Sequence, residues 1–451
     1  MRNTDTFRQE YYFSCHIHSE FIVFLRPRIH HSLCQENKCF LMENKYKLVC
    51  TQCGETIPDF ATWFSQNQQC KCGCKRADVV YSADYHKITE LTKPEHHPAN
   101  FYHYFDFLPV MDRKNIVTFG EGAIPIEEWD FLEKYAREKH GVDCKVMVYR
   151  NDLNGGSNTF KDIAASLAAS LFKENGVKEF CVASTGNTAT AYARYLAEAG
   201  IKFTVFMPHD ACEDTVKAIR SYGQNVVVCD GTYGDAKKEA NDFHEKNNVL
   251  ISTGNIDPIR VEAKKTMVFE YLRQLGKMPD VYVQAVAGGT GPIALDKGIR
   301  DLQTTFPETK MPRMLLIQQD TCDPMVQGWE SAVKAGFPEG YEKNYPVIPN
   351  PQTMVSILSA GNPGMYPIVA PIVRKSGGTF LRMKESELAK YGRIVKEERG
   401  IYFGPASVVC LAGFYKALEE GQIRNGETVL LNTGEGADRA TWFKKMVDEA
   451  L

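Results

Sequence analysis

The chain predicts an α/β protein: two doubly wound parallel-sheet domains preceded by a small cysteine-rich ribbon. Three observations carry this reading. From residue 161 onward, apolar runs of strand length alternate with helix-length stretches, the rhythm of a parallel sheet with right-handed crossovers. Three of the strand-like runs, 179–183, 281–286 and 428–431, lead into loops of Gly, Ser, Thr and Asn. Five cysteines lie together between residues 50 and 74. The 451 residues suffice for two or three domains, and 43% hydrophobic with 24% charged residues is ordinary for a soluble globular chain. A net charge of -3 gives no basic excess for nucleic acid. The 14 cysteines are not framed as a small secreted disulfide scaffold, so a reducing, cytoplasmic setting is expected.

Residues 1–41 read as an extension of unknown role, poorly ordered or lying upstream of the natural start. Met42 would then open the chain, and peptides from before it in native cells would reject the second form. Phe21–Leu25 is apolar for only five residues between Glu20 and Arg26, too short for a membrane span or a usual signal core. Cys15, His16, His18, His30, His31, Cys34 and Cys39 lack paired spacing and read as incidental rather than metal-binding.

Residues 42–78 hold Cys50-x-x-Cys53-Gly54 and Cys70-x-Cys72-x-Cys74. Four thiolates satisfy tetrahedral zinc, which would fold a ribbon too small to make its own core. Free thiols and redox chemistry are the other readings, and the second cysteine group departs from a CxxC pair. Residues 79–160 carry the glycine-rich 119–125 stretch, a helix over Trp129–His140 and a strand at Lys145–Tyr149. With residues 258–451 they are expected to form the larger domain, and 161–257 the smaller one.

The stretch Asn154-Gly155-Gly156-Ser157-Asn158-Thr159-Phe160-Lys161-Asp162 delivers a lysine to the start of a helix, whose stripe is Ile163, Leu167 and Leu171. A helix N-terminus disfavours a structural cation. Burial and a positive neighbour lower a lysine pKa, the direction that Schiff-base chemistry needs; an exposed lysine after a glycine turn is the bland alternative. After the strand 179–183, Ser184-Thr185-Gly186-Asn187-Thr188 opens a helix and gathers backbone N–H groups into a cradle for a carboxylate or phosphate. Gly288-Gly289-Thr290-Gly291 repeats the device with closer approach. It is not a P-loop, and no full dinucleotide fingerprint is present, which leaves a dehydrogenase poorly supported.

Taken in order and spacing, Phe160-Lys161-Asp162, Ser184 to Thr188, Asp257 to Glu262, the loop 288–291 and Thr433-Gly434 resemble the motifs of threonine synthases. These are pyridoxal-phosphate enzymes of the second fold type, and the resemblance spans residues 105–440. Asn154 to Thr159 also resembles archaeal cysteate synthases. Two stretches depart from the threonine-synthase pattern: 121–125, where Gly-Asn-Thr-Pro is usual, and 154–159, ahead of the lysine. Both are expected near the substrate.

The resemblance implies the following roles. Lys161 holds the cofactor and moves the substrate's α proton. Phe160 packs near the cofactor or in the core. Asn187 donates to the 3′ oxygen of the cofactor ring, and Gly288, Gly289, Thr290 and Gly291 cradle its phosphate. Thr433 bonds the pyridine nitrogen, a hydroxyl partner that favours elimination and replacement over transamination. Ser184, Thr185 and Thr188 take the substrate carboxylate, with helix capping as their structural alternative. Arg260, Glu262 and Lys265 match the family or form a buried salt bridge. The expected activity is conversion of O-phosphohomoserine and water to threonine. The alternatives are replacement on O-phosphoserine with sulfite, or an inactive zinc-ribbon binding protein. The expected partners are a small amino-acid substrate and a second copy in a homodimer, with no nucleic acid and no membrane.

Overall fold

The computed structural model describes residues 44–184 and 186–450. The expected N-terminal extension and Thr185 lie outside the described residues. Among the described residues no helix is long and apolar enough to cross a membrane.

The cysteine-rich segment folds as a three-stranded antiparallel sheet, with Tyr46–Cys50 between Thr56–Ile57 and Ala77–Tyr81. Alternation along Tyr46–Cys50 buries Tyr46, Leu48 and Cys50 on one face. A short helix, Phe60–Ser65, closes that face with Phe60 and Trp63, and Asp59 caps it by accepting from Thr62 N at 2.7 Å. Phe64 meets Phe172 of the body edge-on at 5.5 Å.

Two further sheets form the body. The larger has the order Thr379–Met383, Arg313–Gln319, Val281–Ala285, Thr428–Asn432, Lys145–Tyr149, Ile126–Glu128. Every neighbouring pair is parallel except the last, whose short edge strand runs antiparallel. The smaller has the order Asn225–Val228, Lys202–Met207, Glu179–Ala183, Leu250–Ile251, all parallel. In the smaller sheet the chain winds outward from Glu179–Ala183 and resumes on the other side of it; in the larger it winds outward from Val281–Ala285 and returns with Thr428–Asn432 on the other side of that strand, next to Lys145–Tyr149. The resulting crevice lies outside the carboxyl ends of the strands, where open parallel sheets bind ligands.

Two helices run through the buried core of the body. Asp162–Glu174 is buried from Asp162 to Phe172, and its alanines and serines let it pack closely against Asn187–Glu198 and Pro258–Leu275. The latter starts with Asp257 accepting from Ile259 N at 2.9 Å and Pro258 in the first turn, and stops at Gly276 with φ +69°. It is buried along nearly its whole length despite several charges. Glu262 accepts from Tyr81 Oη at 2.7 Å and pairs with Lys265 at 2.6 Å and Lys297 at 3.6 Å. Asp301 pairs with the same two lysines at 2.7 and 2.5 Å. Each charge of this network therefore has an opposite one.

Candidate active site

Lys161 stands at the N-cap of the Asp162–Glu174 helix. The loop before it is clamped by Asp162, whose carboxylate accepts from Ser157 N, Ser157 Oγ and Thr159 N at 3.1, 2.6 and 2.8 Å. Phe160 N donates to Gly434 O at 2.8 Å, tying the loop to the end of the Thr428–Asn432 strand. That bond and the bridge between Thr159 and Glu435 hold the lysine loop against the 433–436 loop. Lys161 is half-buried, and its ammonium makes no hydrogen bond or ion pair with any described residue. Burial, and next the charge of Arg260, lower its pKa to about 8, with Glu435 acting in the opposite direction. The positive neighbour is therefore a guanidinium, in addition to any helix dipole.

Beside Lys161 runs a cleft of about 550 Å³. Lys161, Ser184, Asn187 and Thr188 line it together with Gln284, Ala285, Asn432 and Glu435. Ser184 also does structural work: its Oγ accepts from Gly186 N at 3.4 Å and Ala189 N at 3.3 Å, at the start of the Asn187–Glu198 helix. Asn187 donates one amide hydrogen to Glu435 Oε2 at 2.9 Å, and its Oδ1 accepts from Arg439 Nη2 at 3.3 Å. Its second amide hydrogen remains for a ligand.

Gly288 to Gly291 do not line this cleft themselves. They turn from the Val281–Ala285 strand into the Thr290–Gln303 helix, directly after the cleft residues Gln284 and Ala285. A Cβ on Gly288 would stand 1.8 Å from Asn255 Nδ2, and one on Gly291 2.0 Å from Gln284 Oε1. Gly289 has φ +84° and would strike Val369. Only glycine fits such a turn, and the free N–H groups at the head of a 14-residue helix suit a phosphate. With a half-buried, unpaired lysine in the cleft that Gln284 and Ala285 line, these residues fit pyridoxal phosphate.

Thr433 lies just beneath the cleft. Its hydroxyl donates to Tyr149 O at 2.7 Å and accepts from Asn151 N at 3.0 Å, so both functions are spent on backbone. The structure does not bring it to the cleft wall beside Lys161. The two stretches that depart from the expected pattern also lie off the wall, packed on each other. Gly122 N donates to Asn154 Oδ1 at 2.9 Å, and Tyr195 Oη lies 2.7 Å from Glu121 Oε2 and 2.9 Å from Gly155 O. Glu121 and Asn154 are buried.

Several residues of the site escape a reading by motif. Glu435 is buried, and burial raises its pKa to about 7 against the opposing effects of Ala406 N–H, Arg439, Lys161 and Asn187. It belongs to a strand-to-loop unit visible in the sequence, but its burial depends on residues far along the chain. Lys264 is buried with its ammonium 4.5 Å from the centre of the Phe160 ring, which Lys161 approaches to 5.5 Å. Burial and the charges of Lys161 and Arg260 hold its pKa well below the usual lysine range. Ile357 and Leu358 reach the cleft from an irregular segment with no periodic signal.

A second cluster lies in the ribbon. The sulfurs of Cys50, Cys53, Cys70 and Cys72 lie within 4.8 Å of one another, with Cys50 to Cys72 and Cys53 to Cys70 both at 3.6 Å. Gly54 and Gly73, both with positive φ, shape the two turns. Cys74, the fifth expected ligand, is not in the cluster; its thiol donates to Arg76 O at 3.5 Å. A four-sulfur set of this size matches tetrahedral zinc.

Residues 117–434 match the family model described as pyridoxal-phosphate dependent enzyme. The threonine synthase of Methanocaldococcus jannaschii is 28% identical over 86% of this chain and 91% of its own length. That of Synechocystis sp. is 30% identical over 74% of this chain and 81% of its own. Among solved structures, diaminopropionate ammonia lyase from Escherichia coli superposes with a TM-score of 0.60 at 17% identity, over 74% of this chain and 90% of that one. O-ureido-L-serine synthase gives 0.56 at 20% identity, over 73% and 94%.

Proposed function

The chain belongs to the threonine synthase family of fold-type II pyridoxal-phosphate dependent enzymes, and from that premise we propose that it converts O-phosphohomoserine and water to threonine and phosphate. The enzyme is a pyridoxal-phosphate dependent lyase or synthase. The observation that carries the reading is Lys161, unpaired and of lowered pKa, at the wall of a cleft between two parallel sheets. Support for the substrate comes from the threonine synthases matched over most of their length.

Pyridoxal phosphate, when bound, supplies an aldehyde for Lys161 and a ring that accepts electrons from the substrate's α carbon. Lys161 would hold it, the head of the Thr290–Gln303 helix would take its phosphate, and Asn187 would offer its spare amide hydrogen to the ring oxygen. The Lys161 amine then moves the substrate's α proton, for which a pKa lowered to about 8 is better suited than that of an ordinary lysine. Ser184 and Thr188, at the start of the Asn187–Glu198 helix, orient the substrate carboxylate. The mutual packing of 121–125 and 154–159 weakens the link between those departures and a different substrate. Replacement on O-phosphoserine with sulfite is the second reading, resting on the sequence of 154–159.

Visible absorbance of the protein with pyridoxal phosphate, compared with Lys161→Ala, tests the cofactor assignment. A band in the wild type that the variant loses is expected, and an equal band in both would overturn it. Phosphate release with O-phosphohomoserine but not O-phosphoserine is expected, and the reverse would favour the second reading. Zinc in the ribbon is a separate proposal, resting on the four gathered sulfurs. Elemental analysis is expected to give one zinc per chain, and metal-free folded protein would refute it.

A further inference from the structure

We propose that Glu435 is the acid–base group for the nucleophile, which reaches the substrate through a second chamber adjoining the cleft. This rests on the reaction proposed above. The chamber has about 430 Å³ of space, and it shares Asn187, Ile357 and Glu435 with the cleft. Among the described residues, Glu435 is the one carboxylate lining either space. The reaction moves protons at the carbons of the substrate and also at the nucleophile. Lys161 faces only the cleft, whereas Glu435 faces both spaces.

The carboxylate is held in place without being used up. Ala406 N donates to Oε1 and Asn187 Nδ2 to Oε2, each at 2.9 Å. Arg439 fixes Asn187 in turn, donating to its Oδ1 and, at 2.6 Å, to Ser157 O. Two donors leave a carboxylate with free lone pairs on both oxygens. The charged side chains that act on Glu435 are Lys161 and Arg439, and burial outweighs them, leaving a pKa of about 7. The structural alternative is that Glu435 serves only to cap the Pro405–Glu419 helix through Ala406 N.

In the step, an O–H bond of water breaks and its proton goes to a Glu435 oxygen while the water oxygen bonds to the substrate's β carbon. The C–O bond to phosphate breaks, and its electron pair leaves with the phosphate. The Lys161 amine takes one proton from the β carbon and gives it to the carbon that lost phosphate. Glu435 then releases its proton with the phosphate, so that the site returns to its starting state.

The test compares wild-type and Glu435→Gln holoenzyme with O-phosphohomoserine. The glutamine can still accept from Ala406 N, which separates capping from proton transfer. The variant is expected to keep the cofactor absorbance band and phosphate release. Its ratio of threonine to 2-oxo acid, the product when water is not added, should fall about 100-fold. An unchanged ratio would overturn the proposal. A wild type that releases no phosphate overturns the reaction instead, and carbon NMR of glutamate-labelled holoenzyme then decides on Glu435. A signal absent from Glu435→Gln and titrating near pH 7 is expected; ionisation complete below about pH 5 would reject the role.

Discussion

At the scale of the residue, the site sets function against stability at Lys161. Its pKa is lower in the folded chain than in the unfolded one, so the folded state binds fewer protons between about pH 8 and the ordinary lysine range. Stability of the cofactor-free protein therefore rises with pH across that window, and the penalty is complete below it. Lys161→Met should stabilise cofactor-free protein at pH 7 by on the order of 1–2 kcal/mol, measured by denaturant unfolding, and the gain should shrink above about pH 10. A variant no more stable than wild type at pH 7 would contradict the lowered pKa. The lysine is legible in the sequence because a glycine-rich turn and an apolar helical stripe flank it. Glu435 is not: a carboxylate in a Gly-rich loop looks solvated. What buries it are Asn187, 248 residues away, and the start of the Pro405–Glu419 helix.

At the scale of the element, the strand-loop-helix units are legible because each is written in one local stretch. The Pro258–Leu275 helix is visible only as a motif, since Arg260, Lys264, Lys265 and Arg273 blur the apolar pattern of a helix that is buried all round. Lys265 and Arg273 are paired with Glu262 and Glu270 of the same helix, Asp301 and Ser252 meet Lys265 and Arg260 from elsewhere, and Lys264 is buried without an ion pair to any described residue. The edge strand Ile126–Glu128 is too short to carry a period. In the ribbon, spacing nominates five cysteines, and the turns at Gly54 and Gly73 gather four of them. Cys72→Ser should accordingly lose bound zinc and lower the melting temperature, while Cys74→Ser keeps both near wild type. Metal content and thermal unfolding of the two variants check this, and equal zinc loss in both would place Cys74 among the ligands.

At the scale of the whole molecule, the ribbon and the body are joined by a buried network, Tyr81 with Glu262, Lys265, Lys297 and Asp301. Glu262→Gln should cost about 3 kcal/mol, because it takes a negative charge away from two buried lysines. Thermal unfolding would show this as a large loss, and a change under about 0.5 kcal/mol would mean the network is not needed for stability. Fold class and the order of the motifs are legible at this scale, but the meeting of distant segments is not, since Ile357 and Leu358 are placed by neighbours rather than by their own pattern. The shared border of cleft and chamber has a practical consequence for inhibition. The cleft and the chamber are divided only by the side chains of Asn187, Ile357 and Glu435, so a molecule that displaces them would join a substrate-like head in the cleft to a tail in the chamber. Tethering two weak ligands across that border should raise affinity by roughly 10²–10⁴ over either half.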